Sequence, residues 1–185
     1  MVAPGTACQA GPVRTTSSRE AYRNPWIRVR EDVVERADGS TGIYGVIERP
    51  DFALVVPAEN DGFWLVEQHR HAIGRRSWEF PQGTWSHGAG GTAEALARTE
   101  LAEETGFRAA DLQHLGHLDL ASGLTTQGFD VWVATGLTPG STAREPSEAD
   151  MVQAFVAEAE FRKMIRDGRI TDSPSLAAYS LLLIT

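Results

Sequence analysis

The chain has one cysteine, no apolar run of membrane-spanning length and no excess of positive charge. Each absence excludes something. Cys8 has no partner within the chain, which rules out an intrachain disulfide framework and makes a reducing, cytoplasmic setting the expectation. The longest apolar cluster, "LLLI" at 181–184, falls far short of a span, which needs roughly 18 residues. "MVAPGTACQAGPVRTTSS" lacks the apolar centre of a secretory signal, so no membrane partner is expected. A net charge of −8 argues against a surface that holds nucleic acid by charge alone. It leaves room for a small phosphorylated substrate held by a few local cations and a metal. No "HExxH", "GxSxG" or Walker sequence is present, and "HGAGG" lacks the Lys-Ser/Thr that a phosphate-binding loop supplies. The five histidines are scattered and have no cysteine partner, a poor basis for zinc.

What is present fits one globular domain: 185 residues, 42% hydrophobic and 23% charged. Residues 1–20, rich in Ala, Gly, Ser and Thr without hydrophobic period, read as a disordered tail ahead of a single domain at 21–185. "WIRVREDVVER" and "GIYGVIER" are β-branched runs joined through a turn at Asp38-Gly39. "DFALVVPAE" and "GFWLVEQHRH" repeat the arrangement around Asn60-Asp61-Gly62, and "SWEFPQG" reads as a short strand ending at Pro81. A glycine-rich loop leads into a helix with Thr92 as N-cap, Glu94 in its first turn and Gly106 as its stop. Strands at "HLGHLDL", "GFDVWVATGL" and "MVQAFV" follow. A helix at "EAEFRKMIRDG" and a last helix opened by Ser173-Pro174 complete the chain.

Within the first helix, "TELAEETGF" places Glu100, Glu103 and Glu104 at i, i+3 and i+4, on one face. Like charges at this spacing repel, and the carboxyl end of a helix disfavours negative charge further. Arg98 points to another side of the helix. "EFPQG" runs through the loop into this helix and brings backbone carbonyls at Pro81–Gly83 near the carboxylates. Hard oxygen donors gathered this way suit Mg²⁺ or Mn²⁺, and a divalent ion cancels the repulsion.

Gly83 followed by Glu100-Leu101-Ala102-Glu103-Glu104-Thr105-Gly106-Phe107 resembles the Nudix box, the strand–loop–helix signature of Nudix hydrolases. "GVIERPDFALVV", "VEQHRH", "WEFPQG" and "IRDGRITDSPSLAAY" are similar to the ADP-ribose pyrophosphatase branch. The resemblance implies an α/β (α+β) Nudix fold, with mixed β-sheets sandwiched between helices and an N-terminal antiparallel strand pair. Residues 21–49 would form those N-terminal strands and 50–185 the catalytic fold. It also implies Glu100, Glu103, Glu104 and the Gln82 carbonyl as ligands of Mg²⁺ or Mn²⁺, and Glu148, with Glu145 second, as the base on a later loop. Arg70, Glu79 and Trp26 would meet the substrate, with Trp78 and Phe80 as further stacking candidates, and the N-terminal strands imply a homodimer.

This sequence departs from the box in three places. The spacing from Gly83 to Glu100 is two residues longer, Gly91 stands where the family has a mid-loop glutamate, and Thr99 stands where an arginine helps hold the carboxylates. Arg75 or Arg76 is the expected substitute cation. The reading that follows is metal-dependent hydrolysis of the diphosphate in ADP-ribose or a related nucleoside diphosphate sugar. The alternative is a catalytically weak or inactive Nudix-fold sensor that binds such a metabolite, favoured by Thr99 and Gly91.

Overall fold

The computed structural model describes residues 13–85, 90–144 and 146–185. The chain divides into two compact units. One runs to Arg49 and takes in Ala121–Thr126; the other comprises Pro50–Leu120 and Gln127–Thr185.

The first unit is an antiparallel sheet in the order β1-β2-β3, with β1 at Arg14–Arg23, β2 at Arg28–Glu35 and β3 at Thr41–Glu48. It has three strands, not the expected pair, because β1 begins at Arg14, inside the segment read as a tail. Polar, small residues of β1 are exposed along its whole length, so no hydrophobic alternation marks it as a strand. Its ladder to β2 and ion pairs such as Arg19–Glu31 hold it instead. β2 and β3 turn at Asp38-Gly39 as expected, with Gly39 in the left-handed region. Ala121–Thr126 returns from far along the chain and pairs with β3, where Ile47 bonds to Leu124 and Thr126. The join at Arg49/Pro50 lies between adjacent strands, too short to read as a linker.

The second unit is a seven-stranded mixed sheet. Its main path is β10 (Val152–Ala157), β5 (Gly62–Arg70), β4 (Phe52–Glu59), β9 (Gly128–Thr138) and β8 (Arg108–Asp119). β6 (Arg75–Glu79) pairs with β5, and β7 (Gln82–Gly83) pairs with β4. Only β4 and β9 run parallel among these ladders. β4 explains the layering: alternate residues of a strand face opposite sides, and here both sides are apolar. Phe52, Leu54 and Val56 pack with Phe161 and Met164 of α2 (Glu158–Arg166) and Ala178 and Tyr179 of α3 (Ser173–Leu182). Ala53 and Val55 pack with Leu96 and Ala97 of α1 (Ala93–Glu100). The mixed sheet between helices is the architecture the Nudix resemblance implied.

Among the described residues, no helix is long and apolar enough to cross a membrane.

Candidate active site

α1 starts as its sequence dictates. Thr92 accepts a hydrogen bond from the Ala95 amide at 3.1 Å, and Glu94 sits in the first turn. Its carboxyl end departs from a uniform α-helix: Leu101–Thr105 forms a π-helical turn, stopped by Gly106 in the left-handed region. Such wider turns occur often at functional sites. Gly106 is also required for space, since a Cβ there would lie 2.7 Å from the Gly140 carbonyl oxygen. Through this turn Glu100 and Glu104 are buried, at 7% and 1% exposure, while Glu103 is half-buried.

Both buried carboxylates press on β7. Gly83 is the residue that lets them: a Cβ built there would stand 2.6 Å from the Glu100 carboxyl carbon. The Gln82 amide donates to Glu104 Oε2 at 3.3 Å, whereas Glu104 Oε1 is buried without a hydrogen bond. The Pro81 carbonyl accepts from the Val55 amide in the sheet at 2.9 Å. Burial holds Glu104 well above the usual carboxylate range, and Glu100, Glu148 and Glu79 push it further; Arg70 pulls the other way.

Glu79 closes β6 and is 1% exposed. Burial pushes it up to about 7, the Arg70 charge opposes this, and Asp172 adds to it. Arg70, at the end of β5, donates from Nε to Glu79 Oε2 at 3.2 Å. Its second nitrogen lies 2.8 Å from Oε1 but off the donor direction, so that oxygen has an ion pair without a hydrogen bond. Glu148 ends a short turn at Pro146–Glu148, near enough for its charge to act on Glu104. Arg70, Glu79, Gln82, Glu100, Glu104 and Glu148 are therefore one electrostatic neighbourhood.

Trp26 belongs to the first unit, in the turn between β1 and β2, 70% exposed. Glu145 lies outside the described residues. Phe80 is not a stacking platform: it is fully buried and stacks on Phe161 at 5.3 Å, as an aromatic in a covered strand does. Trp78 packs partly buried against the same core. Neither Arg75 nor Arg76 replaces the box arginine. Arg75 donates to Thr171, and Arg76 to Glu67 and Asp150. Thr99 bonds back to the Ala95 carbonyl, and Arg98 pairs with Glu94 on the exposed side.

Two residues overlooked in the sequence brace the segment that runs from Glu79 to Gln82. Asp172 Oδ2 accepts from Gln82 Nε2 at 3.1 Å and from the Ser175 hydroxyl at 2.7 Å. The Ser175 oxygen in turn accepts from the Phe80 amide at 2.9 Å. The N-cap of α3 is Asp172 rather than Ser173, and "DSPS" with an acceptor three residues before Ser175 carried that signal.

Comparison with known proteins matches the NUDIX domain over residues 48–178 and the nucleoside diphosphate sugar hydrolase N-terminal domain over residues 13–47. The chain belongs to the NUDIX family. An ADP-ribose pyrophosphatase of Mycobacterium tuberculosis is 33% identical over 88% of this chain and 79% of its own length. A methanol dehydrogenase activator of Bacillus methanolicus is 25% identical over 91% of each chain. The solved structure of an ADP compounds hydrolase has a TM-score of 0.82 at 20% identity, covering 94% of this chain and 93% of that one, which shows a shared fold. This protein is a Nudix hydrolase, with α1 and its π-turn as the Nudix helix.

Does the Nudix helix suit the divalent metal that the family generally uses? Among the described residues no three acidic or histidine side chains form a ready-made cage. A buried carboxylate oxygen without a hydrogen bond, beside a second carboxylate seated on a bare glycine, nevertheless supplies hard oxygen donors with charge to share. Mg²⁺ typically takes one or two carboxylates and completes its shell with water and substrate phosphate, so the donor set fits.

The Glu79 pKa carries a sign. It lies above the unfolded value, so the stability Glu79 contributes is full below about pH 4.5 and is lost as pH rises through about 7. Melting of the metal-free protein, followed from about pH 5 to about pH 8, should fall less steeply in Glu79→Gln than in the wild type. Parallel curves would contradict this environment for Glu79.

Proposed function

We propose that this Nudix hydrolase cleaves the diphosphate bond of ADP-ribose or a related nucleoside diphosphate sugar with Mg²⁺ or Mn²⁺, in a reducing cytoplasm. The supporting observation is the buried pair Glu100 and Glu104 on the Gln82–Gly83 backbone, with Glu148 in electrostatic reach. The pyrophosphatase name of the Mycobacterium relative supports the substrate class. In this reading Glu100 and Glu104, with Glu103 and the Gln82 carbonyl, hold the ion. When bound, it supplies charge neutralisation for the diphosphate and acidifies a water.

The chain's own residues do the rest. Arg70 has donors for two phosphate oxygens, and Glu79 fixes its orientation by the 3.2 Å hydrogen bond. Glu148 takes the proton of the attacking water, with Glu145 the second choice for that role. Water oxygen bonds to one phosphorus, the bridging P–O bond breaks, and the products are a nucleoside monophosphate and a sugar phosphate. The burial of Glu100 and Glu104 on the Nudix helix is more than a metabolite sensor needs, which favours turnover over the binding-only alternative.

A panel of ADP-ribose, ADP-glucose, GDP-mannose, NADH and diadenosine polyphosphates, each with and without Mg²⁺ or Mn²⁺, tests the reading. Metal-dependent release of nucleoside monophosphate is expected from ADP-ribose or a close relative, and none from Glu104→Gln. Silence of the wild type across the panel, or wild-type turnover by Glu104→Gln, would overturn it.

We further propose a homodimer built on the N-terminal sheet, whose strand β1 is exposed at every residue. Light scattering at micromolar concentration should report twice the 20.1 kDa chain mass; a monomer would refute it.

A further inference from the structure

The family arginine that steadies the helix carboxylates is Thr99 here, and the Nudix helix has no basic residue in its last turn. Its carboxyl end therefore combines the negative pole of the helix with a cluster of glutamates. A cation arrives from another part of the chain. Arg144 donates from Nε to the Glu104 carbonyl at 2.9 Å and from a terminal nitrogen to the Met151 carbonyl; its other nitrogen reaches Gln153 Oε1 at 3.4 Å. Next to it, the Ala143 amide donates to the Glu103 carbonyl at 3.0 Å. Two carbonyls at the helix end are thereby satisfied from outside the helix.

The same guanidinium closes the loop that carries Glu148. Arg144 and Met151 lie on either side of that residue, and the Met151 amide donates to the Glu148 carbonyl at 2.9 Å. One planar, permanently charged fork thus ties the backbone of Glu104 to that of Met151, just beyond Glu148.

We propose that Arg144 is a positioning residue which fixes the Glu148 turn against the carboxylates of the Nudix helix and takes over the bracing lost at Thr99. It touches neither substrate nor metal; it sets the separation between the proposed base and the proposed ligands. This rests on the diphosphate-hydrolase reading for its kinetic consequence, but the clamp itself is measurable without substrate.

The test compares Arg144→Ala and Arg144→Lys with the wild type, using Arg98→Ala on the exposed side of the helix as control. Hydrogen exchange is expected to speed up together in Leu101–Thr105 and in Pro146–Glu148 of both Arg144 variants, and in neither segment of the control. With the best substrate of the panel, kcat should fall on the order of 10- to 100-fold, as small misplacements of reacting groups do, with KM little changed. Lysine keeps the charge but has one donor centre where two carbonyls must be spanned, so it should rescue poorly. It also serves should the alanine variant fail to fold. In a Glu148→Gln background, Arg144→Lys should cause no further loss of kcat.

Exchange unchanged in either segment, full rescue by lysine, or losses that multiply in the double variant would overturn the proposal. A wild type silent toward every diphosphate would instead refute the proposed function, and the exchange data alone would then decide the clamp.

Discussion

Two carboxylates are buried side by side on one helix turn, against a strand with no side chain in the way. That constraint organises the catalytic unit. Burying a charge is costly unless it is paired or neutralised, and Glu104 has one oxygen on the Gln82 amide and one with no hydrogen bond. The fold tolerates the pair because Gly83 yields its side-chain volume to Glu100. It gains from the pair only when something positive shares the site, which is why the proposed divalent ion would stabilise the fold.

The surroundings keep this arrangement in register. β7 is held on one side by its ladder to Ala53 and Leu54. On the other side the chain from the Phe80 amide through Ser175 to Asp172 and Gln82 fixes the approach to it. The Nudix helix is fastened at its start by Thr92, along its length by Leu96 and Ala97 in the core, and at its end by the 143–144 segment. The groups proposed to meet metal and substrate are thus carried on rigid elements, while the proposed base, Glu148, comes from a short turn.

Much of this was legible in the sequence where local chemistry decides the outcome. The turns at Asp38-Gly39 and Asn60-Asp61, the Thr92 cap, the Gly106 stop and the doubly apolar β4 each follow from residues within a few positions of one another. The crowding of Glu100, Glu103 and Glu104 was visible for the same reason. β1 escaped because a fully exposed strand has no hydrophobic period to display, and Ala121–Thr126 because its partner strand is remote in sequence. The half-satisfied carboxylate of Glu104 and the reach of Arg144 depend on packing between segments 22 and 40 residues apart. Arg75 and Arg76 were the expected substitutes, yet the register of β6 aims them at Thr171, Glu67 and Asp150.

The central claim is that the buried Glu100–Glu104 pair is balanced by a divalent ion. Calorimetric titration of Mn²⁺ into the metal-free wild type and Glu104→Gln, without substrate, tests it most directly. The account predicts saturable binding by the wild type and an affinity at least about 10-fold weaker in Glu104→Gln, since even changes outside the ligand shell cost that much. Equal affinities in the two proteins, or no binding by the wild type, would contradict it.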